Sequence, residues 1–225
     1  MIYIENAYLD QSVALQEIGD ALVFKSHPNQ ITKMVKKEYK VGNDLLQNNS
    51  FFKYFIVGGN WNLEFSNFAE DRNFLEMQEL IHFKEEYAKS NSFKRCVNEL
   101  KDGNPQKNYL GEEFKSLEDV RETFEYYLKL IRDMKTNGYV KQNHLNFGKA
   151  DSEIGVAISP NSELFHFRTG HHRLAIAKAV NLEHVYVKVH FVHKLWVDKL
   201  VGIYGQSEVE SIKRGISEIF VKGMI

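Results

Sequence analysis

Between residues 154 and 192 the chain fixes an order of elements that few arrangements can accommodate. Ile154 to Ile158 and Leu164 to Arg168 are short β-prone runs separated by the turn Ser159-Pro160-Asn161-Ser162. Thr169-Gly170-His171-His172-Arg173 follows and opens the small apolar run Leu174 to Val180, which reads as a helix. Val185 to Val192 then alternates like a half-buried strand, with its four valines on one face. The order is therefore strand, strand, glycine turn, helix, strand. A glycine opening a helix lets backbone N–H groups come close to a ligand, and the helix N-terminus adds its partial positive charge to that of Arg173. The guest suited to such a turn is a phosphate. The plain alternative is an ordinary strand-to-helix turn with Arg173 solvated, because a short glycine turn is a weak motif.

The surroundings of this turn carry a resemblance. Leu117 to Asn137 reads as a helix, Gly138-Tyr139-Val140 as a step at its end, and Lys141 to Leu145 as an extended segment leading to the hairpin and to Phe167-Arg168-Thr169-Gly170-His171-His172-Arg173. In that order and spacing the chain resembles the ParB/sulfiredoxin-like superfamily. It is most similar to a branch whose turn reads Asp-Gly-His/Arg-His-Arg-Leu-Ala and which has an upstream Gly-Gly-Asp-Trp-Asp element, where this chain has Gly58-Gly59-Asn60-Trp61-Asn62. The resemblance covers the second half of the chain, and the upstream element extends it more loosely. It implies an α/β (α+β) fold, a small mixed sheet with surrounding helices. It further implies a bound nucleotide, ATP or another nucleoside triphosphate with Mg²⁺, contacted by Thr169, Gly170, His171, His172 and Arg173 and by Gly59, Asn60 and Trp61. If phosphoryl transfer to a small hydroxylated acceptor occurs, His171, His172 and Arg173 act on the phosphates and Thr169 as a hydroxyl ligand. The base is then an acid from elsewhere, with Glu153 and Glu163 candidates by proximity alone.

The departures from the family pattern carry information too. Sulfiredoxin-type chemistry needs a cysteine directly after the glycine, and His171 stands there; the single cysteine, Cys96, lies far away on the apolar side of a helical pattern. Thr169 replaces a carboxylate, and Asn60 and Asn62 replace aspartates. Asparagine can ligate through its carbonyl but supplies neither negative charge for Mg²⁺ nor a general base. A non-catalytic, nucleotide-controlled binding or switch module is therefore the alternative to a kinase-like phosphotransferase. ParB-type DNA association is disfavoured, since the net charge is −1 and no basic recognition helix follows the signature.

The rest of the chain frames this core. Residues 1–110 read as a mixed N-terminal part packing on a core of residues 111–225. The 43% hydrophobic content is ample for a buried core. One cysteine, a polar N-terminus with Glu5 and Asn6, and no membrane-length apolar run point to a cytoplasmic protein. Ala21 to Phe24 suggests a short strand, Asn48-Asn49-Ser50 punctuates, and Phe51 to Val57 runs into Gly58-Gly59. Lysines 33, 36, 37 and 40 form a cluster that reads first as a solvated face. Trp61 could stack on a base or be a core tryptophan at a strand end.

Phe74 to Leu100 recurs at helical spacing with a break near Ser90-Asn91-Ser92, giving two helices stopped by Gly103 and Pro105. Ser116 and Asp119 open the clearest helix and Gly138 ends it; Arg121, Glu122, Glu125 and Lys129 fall on its solvated side. Lys194 to Ile225 suggests two short closing helices. For zinc, the histidines lack any of the usual ligand spacings, so no metal site is assigned to them. Neighbours on a helix diverge by about 100°, so of His171 and His172 one is expected to face the ligand and the other to pack or cap.

Overall fold

The computed structural model describes residues 3–36, 38–41, 44–47, 53–108, 111–142 and 153–222. Lys37, the 48–50 punctuation, the start of the 51–57 run, the extended segment from 143 onward and the last three residues lie outside them.

The hairpin and the alternating run form the middle of the sheet. Ile154–Ile158 is β9, wholly buried, and pairs antiparallel with β10, Leu164–His166. On its other side β9 runs parallel to β11, Val185–His193. A two-residue alternation would turn Val192 away from Val185, Val187 and Val189. The register slips between Val189 and Phe191, and this bulge returns Val192 to the same apolar cluster as the other three while Phe191 joins the cluster on the opposite face.

Five strands of the N-terminal half complete this sheet: β2 (Tyr8–Asp10), β3 (Val23–Ser26), β4 (Lys33–Val35), β7 (Tyr54–Val57) and β8 (Phe65–Asn67). Among the described residues its order is β2-β7-β11-β9-β10-β4-β8, with β3 pairing β11 off that path. A separate three-stranded sheet holds β1 (Tyr3–Ile4), β5 (Glu38–Val41) and β6 (Asp44–Gln47) in the order β1-β5-β6. The class is α/β mixed, as expected, but the sheet is eight-stranded rather than small. The N-terminal runs are too short to show a period of their own, and pairing with β11 and β10 makes them strands. Five strands from before residue 110 share the eight-stranded sheet with β9, β10 and β11 from after it.

The helices are α1 (Gln11–Ile18), α2 (Arg72–Phe83), α3 (Asn91–Lys101), α4 (Leu117–Asn137), α5 (His171–Ala179), α6 (Lys194–Tyr204) and α7 (Glu208–Lys222). Each contributes to the cluster that contains Ile154, Val156 and Ile158. The opposite face of β9, at Ala157, packs instead against Trp61, Phe165, Phe167 and Phe191. Ser90 caps α3 at the expected break, with a 3₁₀ stretch over Lys84–Lys89 before it. Gly103, just past α3, adopts φ +74°. Helix α4 begins in a reciprocal capping box between Ser116 and Asp119 and ends at Gly138, φ +71°. Gly205, φ +62°, separates α6 from α7.

Replacing Ser116 by Ala removes the acceptor of the Asp119 N–H at 3.1 Å. It should cost about 1 kcal/mol in urea unfolding. An unchanged unfolding midpoint would mean that the box contributes nothing to α4.

Candidate functional site

The turn into α5 is built by a backbone irregularity. Past the end of β10, the Phe167 N–H donates to the Gly155 carbonyl at 2.8 Å and the Gly155 N–H donates to the Thr169 carbonyl at 3.0 Å. Arg168 between them is left-handed at φ +65°. Phe167 and Thr169 thus both bond to Gly155 with Arg168 bulged between them, and the kink delivers Gly170 to the start of β9. Gly170 is itself at φ +73°, and a Cβ there would lie 2.8 Å from the Ile154 Cα. Conformation and space both require glycine.

The first bond of α5 runs from the Leu174 N–H to the Gly170 carbonyl at 2.9 Å. The N–H groups of His171, His172 and Arg173 therefore have no acceptor within the helix. Side chains of Asp10, Asp71, Ser90, Ser116 and His193 cap α1, α2, α3, α4 and α6, whereas the N-cap residue of α5 is Gly170, which has no side chain to offer.

The three side chains that follow diverge onto three different elements. His171 Nε2 lies 2.6 Å from Asp71 Oδ1, its ring stacks on Phe68 at 5.2 Å, and the edge of His166 meets it at 4.8 Å. His172 packs on Tyr127 of α4, whose hydroxyl is 3.1 Å from Nε2. Arg173 Nη1 donates to the Tyr139 hydroxyl at 2.8 Å, and Tyr139 donates to Glu153 Oε2 at 2.9 Å. The Gln142 N–H donates to Glu153 Oε1 at 2.6 Å. Glu153 is buried, and so is half of a relay that ties Arg173 to the segment after α4. Both histidines contact protein side chains, His171 at Asp71 and the more deeply buried His172 at Tyr127. The Thr169 hydroxyl donates to the Glu153 carbonyl at 2.7 Å, which commits its proton and leaves its oxygen lone pairs.

The Gly58-to-Trp61 element is elsewhere. Val57, at the end of β7, pairs with His193, at the end of β11, whereas Gly170 abuts Ile154 at the start of β9, a parallel neighbour of β11. The two glycine elements therefore lie at opposite ends of the parallel strands, and the structure does not bring Gly59, Asn60 and Trp61 to the turn. Trp61 is fully buried, packed edge-on against Phe191 at 4.8 Å and Phe165 at 5.7 Å, with its indole N–H donated to the Val57 carbonyl. The stacking role is replaced by a core role. His193 Nδ1 accepts from the Leu195 N–H, so its Nε2–H donates to the Gly59 carbonyl at 2.9 Å. Gly58 lies against the Glu5 backbone, where a Cβ would come within 2.7 Å of the carbonyl oxygen.

Other candidates resolve in the same way. Glu163 pairs with Lys33 at 2.7 Å, and Lys33 lies over the rings of Phe65 and Phe165. Cys96 is buried, and that burial pushes its thiol up to about 12, which leaves no thiolate at neutral pH. Among the described residues no group of three or more His, Cys, Asp or Glu is placed to hold a metal ion.

Titration behaviour follows burial. Burial holds His166 down at about 3 and His172 at about 4, with the His171 charge adding to both. Lys178, desolvated beside Phe68, falls to about 8. Asp71 is partly desolvated, which raises it, but the hydrogen bond from His171 and those from the Asn73 and Phe74 amides hold its carboxyl below the usual range. Burial raises Tyr139 despite Arg173, with Glu153 adding to the rise. Glu76 of α2, buried with Arg95 3.4 Å away, is pushed up to about 7.

Asp71 is the functional candidate that sequence reading missed. Its only sequence signal is that of a helix N-cap, and its partner is 100 residues away. Tyr139 was read only as part of a helix-ending step, and nothing in its spacing announces the contact with Arg173. Set beside known proteins, the chain matches no family model, no curated protein and no solved structure. What the fold and site define is a mixed α/β protein with a glycine-capped helix N-terminus beside an Arg–Tyr–Glu relay and an Asp–His pair. No helix among the described residues is long and apolar enough to cross a membrane.

The histidines and Glu76 act on stability in opposite senses. A histidine depressed in the folded state contributes stability above its unfolded value near 6.5 and loses it as pH falls below that. Each can lose about 2 kcal/mol by pH 5. A raised Glu76 gives its stability below 4.5 and loses it as pH rises through 7. His166→Gln should therefore make the protein relatively more stable at pH 5 against pH 7.5, and Glu76→Gln should do the reverse. Urea unfolding at the two pH values checks both, and identical pH differences in all three proteins would refute the assignment.

Proposed function

We propose that the protein binds a nucleoside triphosphate at the N-terminus of α5, with ATP as the first ligand to test. The observation that carries this reading is the turn itself: three N–H groups with no intrahelical acceptor, following an N-cap that must be glycine and so offers no side chain, with the Arg173 guanidinium beside them. Phosphate oxygens are the acceptors that such a turn suits. Arg173, already oriented by Tyr139, supplies a cation that keeps its charge at any working pH. Mg²⁺ would arrive with the nucleotide, since it retains waters and needs few protein ligands. Kinase-like transfer to a small hydroxylated acceptor is the reaction this reading takes. Cys96, buried and the only cysteine, suits a reducing cytoplasm.

A second reading, a nucleotide-controlled switch, is favoured by one specific feature. His171, His172 and Arg173 each bond to a different neighbour, at Asp71, Tyr127 and Tyr139. A ligand that competed for these side chains would loosen α5 from α2, α4 and the segment after α4 together.

Thermal-shift titration against ATP, ADP, CTP and GTP, with and without Mg²⁺, tests binding. At about 100 times its dissociation constant a ligand specific for the folded state stabilises it by about 2.7 kcal/mol. The expected result is a shift in the wild type that Arg173→Ala abolishes. No shift with any nucleotide would overturn the reading.

A further inference from the structure

We propose that Asp71 and His171 form an acid–base pair in which His171 takes the proton of a hydroxyl, from water or a small alcohol, as that hydroxyl attacks the terminal phosphoryl group of the bound nucleotide. This rests on the nucleotide reading above and supplies the base that the sequence lacked.

The geometry fixes which nitrogen can work. Asp71 Oδ1 accepts from the Asn73 N–H at 2.8 Å and the Phe74 N–H at 3.3 Å, bonds that favour the ionised carboxylate. An ionised carboxylate only accepts, so the 2.6 Å contact places the proton of the neutral ring on His171 Nε2. Nδ1 then carries the lone pair, and no hydrogen bond from a described residue occupies it. The ring cannot swing, because Phe68 stacks on one face at 5.2 Å and the His166 edge abuts it at 4.8 Å. The pair is not sealed in the core: the side chains keep 21% and 16% of their surface exposed. His171 is the first residue of α5, so this base sits on the rim of the turn proposed to hold the phosphates.

The step balances without any further reagent. The hydroxyl oxygen forms a bond to the terminal phosphorus as its O–H bond breaks, and the proton goes to His171 Nδ1. The bond between that phosphorus and the bridging oxygen breaks, and the nucleoside diphosphate leaves with the electron pair. Asp71 faces the resulting imidazolium through Nε2–H, and the proton then passes to solvent. Asp71 is the positioning residue and His171 the catalytic one.

The test uses the full chain with Mg·ATP, following ADP release from pH 5 to 9 in water and in glycerol as the probe alcohol. Asp71 also caps α2, so Asp71→Ser is the informative variant: serine retains a capping oxygen but loses the carboxylate. His171→Gln removes the base. Wild-type ADP release should rise with pH, because the base must be unprotonated to act. Both variants should lose about 10²-fold or more in turnover and lose that limb, while keeping the nucleotide-induced thermal shift. Variants within threefold of wild type, or a wild type that binds nucleotide without releasing ADP, would overturn the proposal and leave nucleotide binding standing. A wild type that shifts with no nucleotide would remove both.

Discussion

The approach of Gly170 to the Ile154 backbone is the contact on which the local architecture turns. A Cβ at Gly170 would sit 2.8 Å from both the Ile154 Cα and its Cγ1, so the chain can pass there only as glycine. The left-handed Arg168 just upstream bends β10 so that this passage occurs at the start of β9. Because β9 is buried along its whole length between β10 and β11, the turn is clamped to the buried middle of the sheet. Helix α5 leaves that clamp with Leu174, Ala175, Ile176 and Ala177 buried, and its first three side chains must reach outward to whatever the other helices present.

What they reach determines the chemistry available. Asp71 arrives on α2, Tyr127 on α4, and the Tyr139–Glu153 relay bridges the end of α4 and the start of β9. One of these contacts joins the buried His172 ring to Tyr127 and another the Arg173 guanidinium to the buried Tyr139, and burial explains the depressed His172 and the raised tyrosines there. The third joins His171 to a carboxylate that backbone amides hold ionised. One short helix start thus collects a cation, an oriented imidazole and a set of N–H donors within a single turn.

Much of the layout was legible because strong local signals coincide with tertiary ones. The capping box at Ser116 and Asp119, the glycine at 138 and the apolar face of Val120, Phe124, Leu128 and Ile131 all specify α4, and they need no distant partner. The hairpin with Ser159 at its turn is equally local, its hydroxyl accepting from the Asn161 and Glu163 amides. The N-terminal strands were not legible in this way. Met34 or Tyr54 becomes strand only because β10, β11 or a neighbour offers its edge, and a run of three or four residues carries too little period to say so. Trp61 is the sharpest case: two glycines before an indole read equally as a stacking platform or a core plug, and only the rings of Phe165 and Phe191 decide for the core.

The sequence alone determined the mixed class and the order of elements over 116–142 and 154–205, because caps, turns and periodicity act over a few residues. The tertiary structure decided the eight-stranded sheet, the separation of Trp61 from the Gly170 turn, and the pairing of His171 with Asp71 across 100 residues. Those outcomes depend on which strand edges and helix ends meet. Such meetings are set by the packing of the whole core, and no local spacing encodes them.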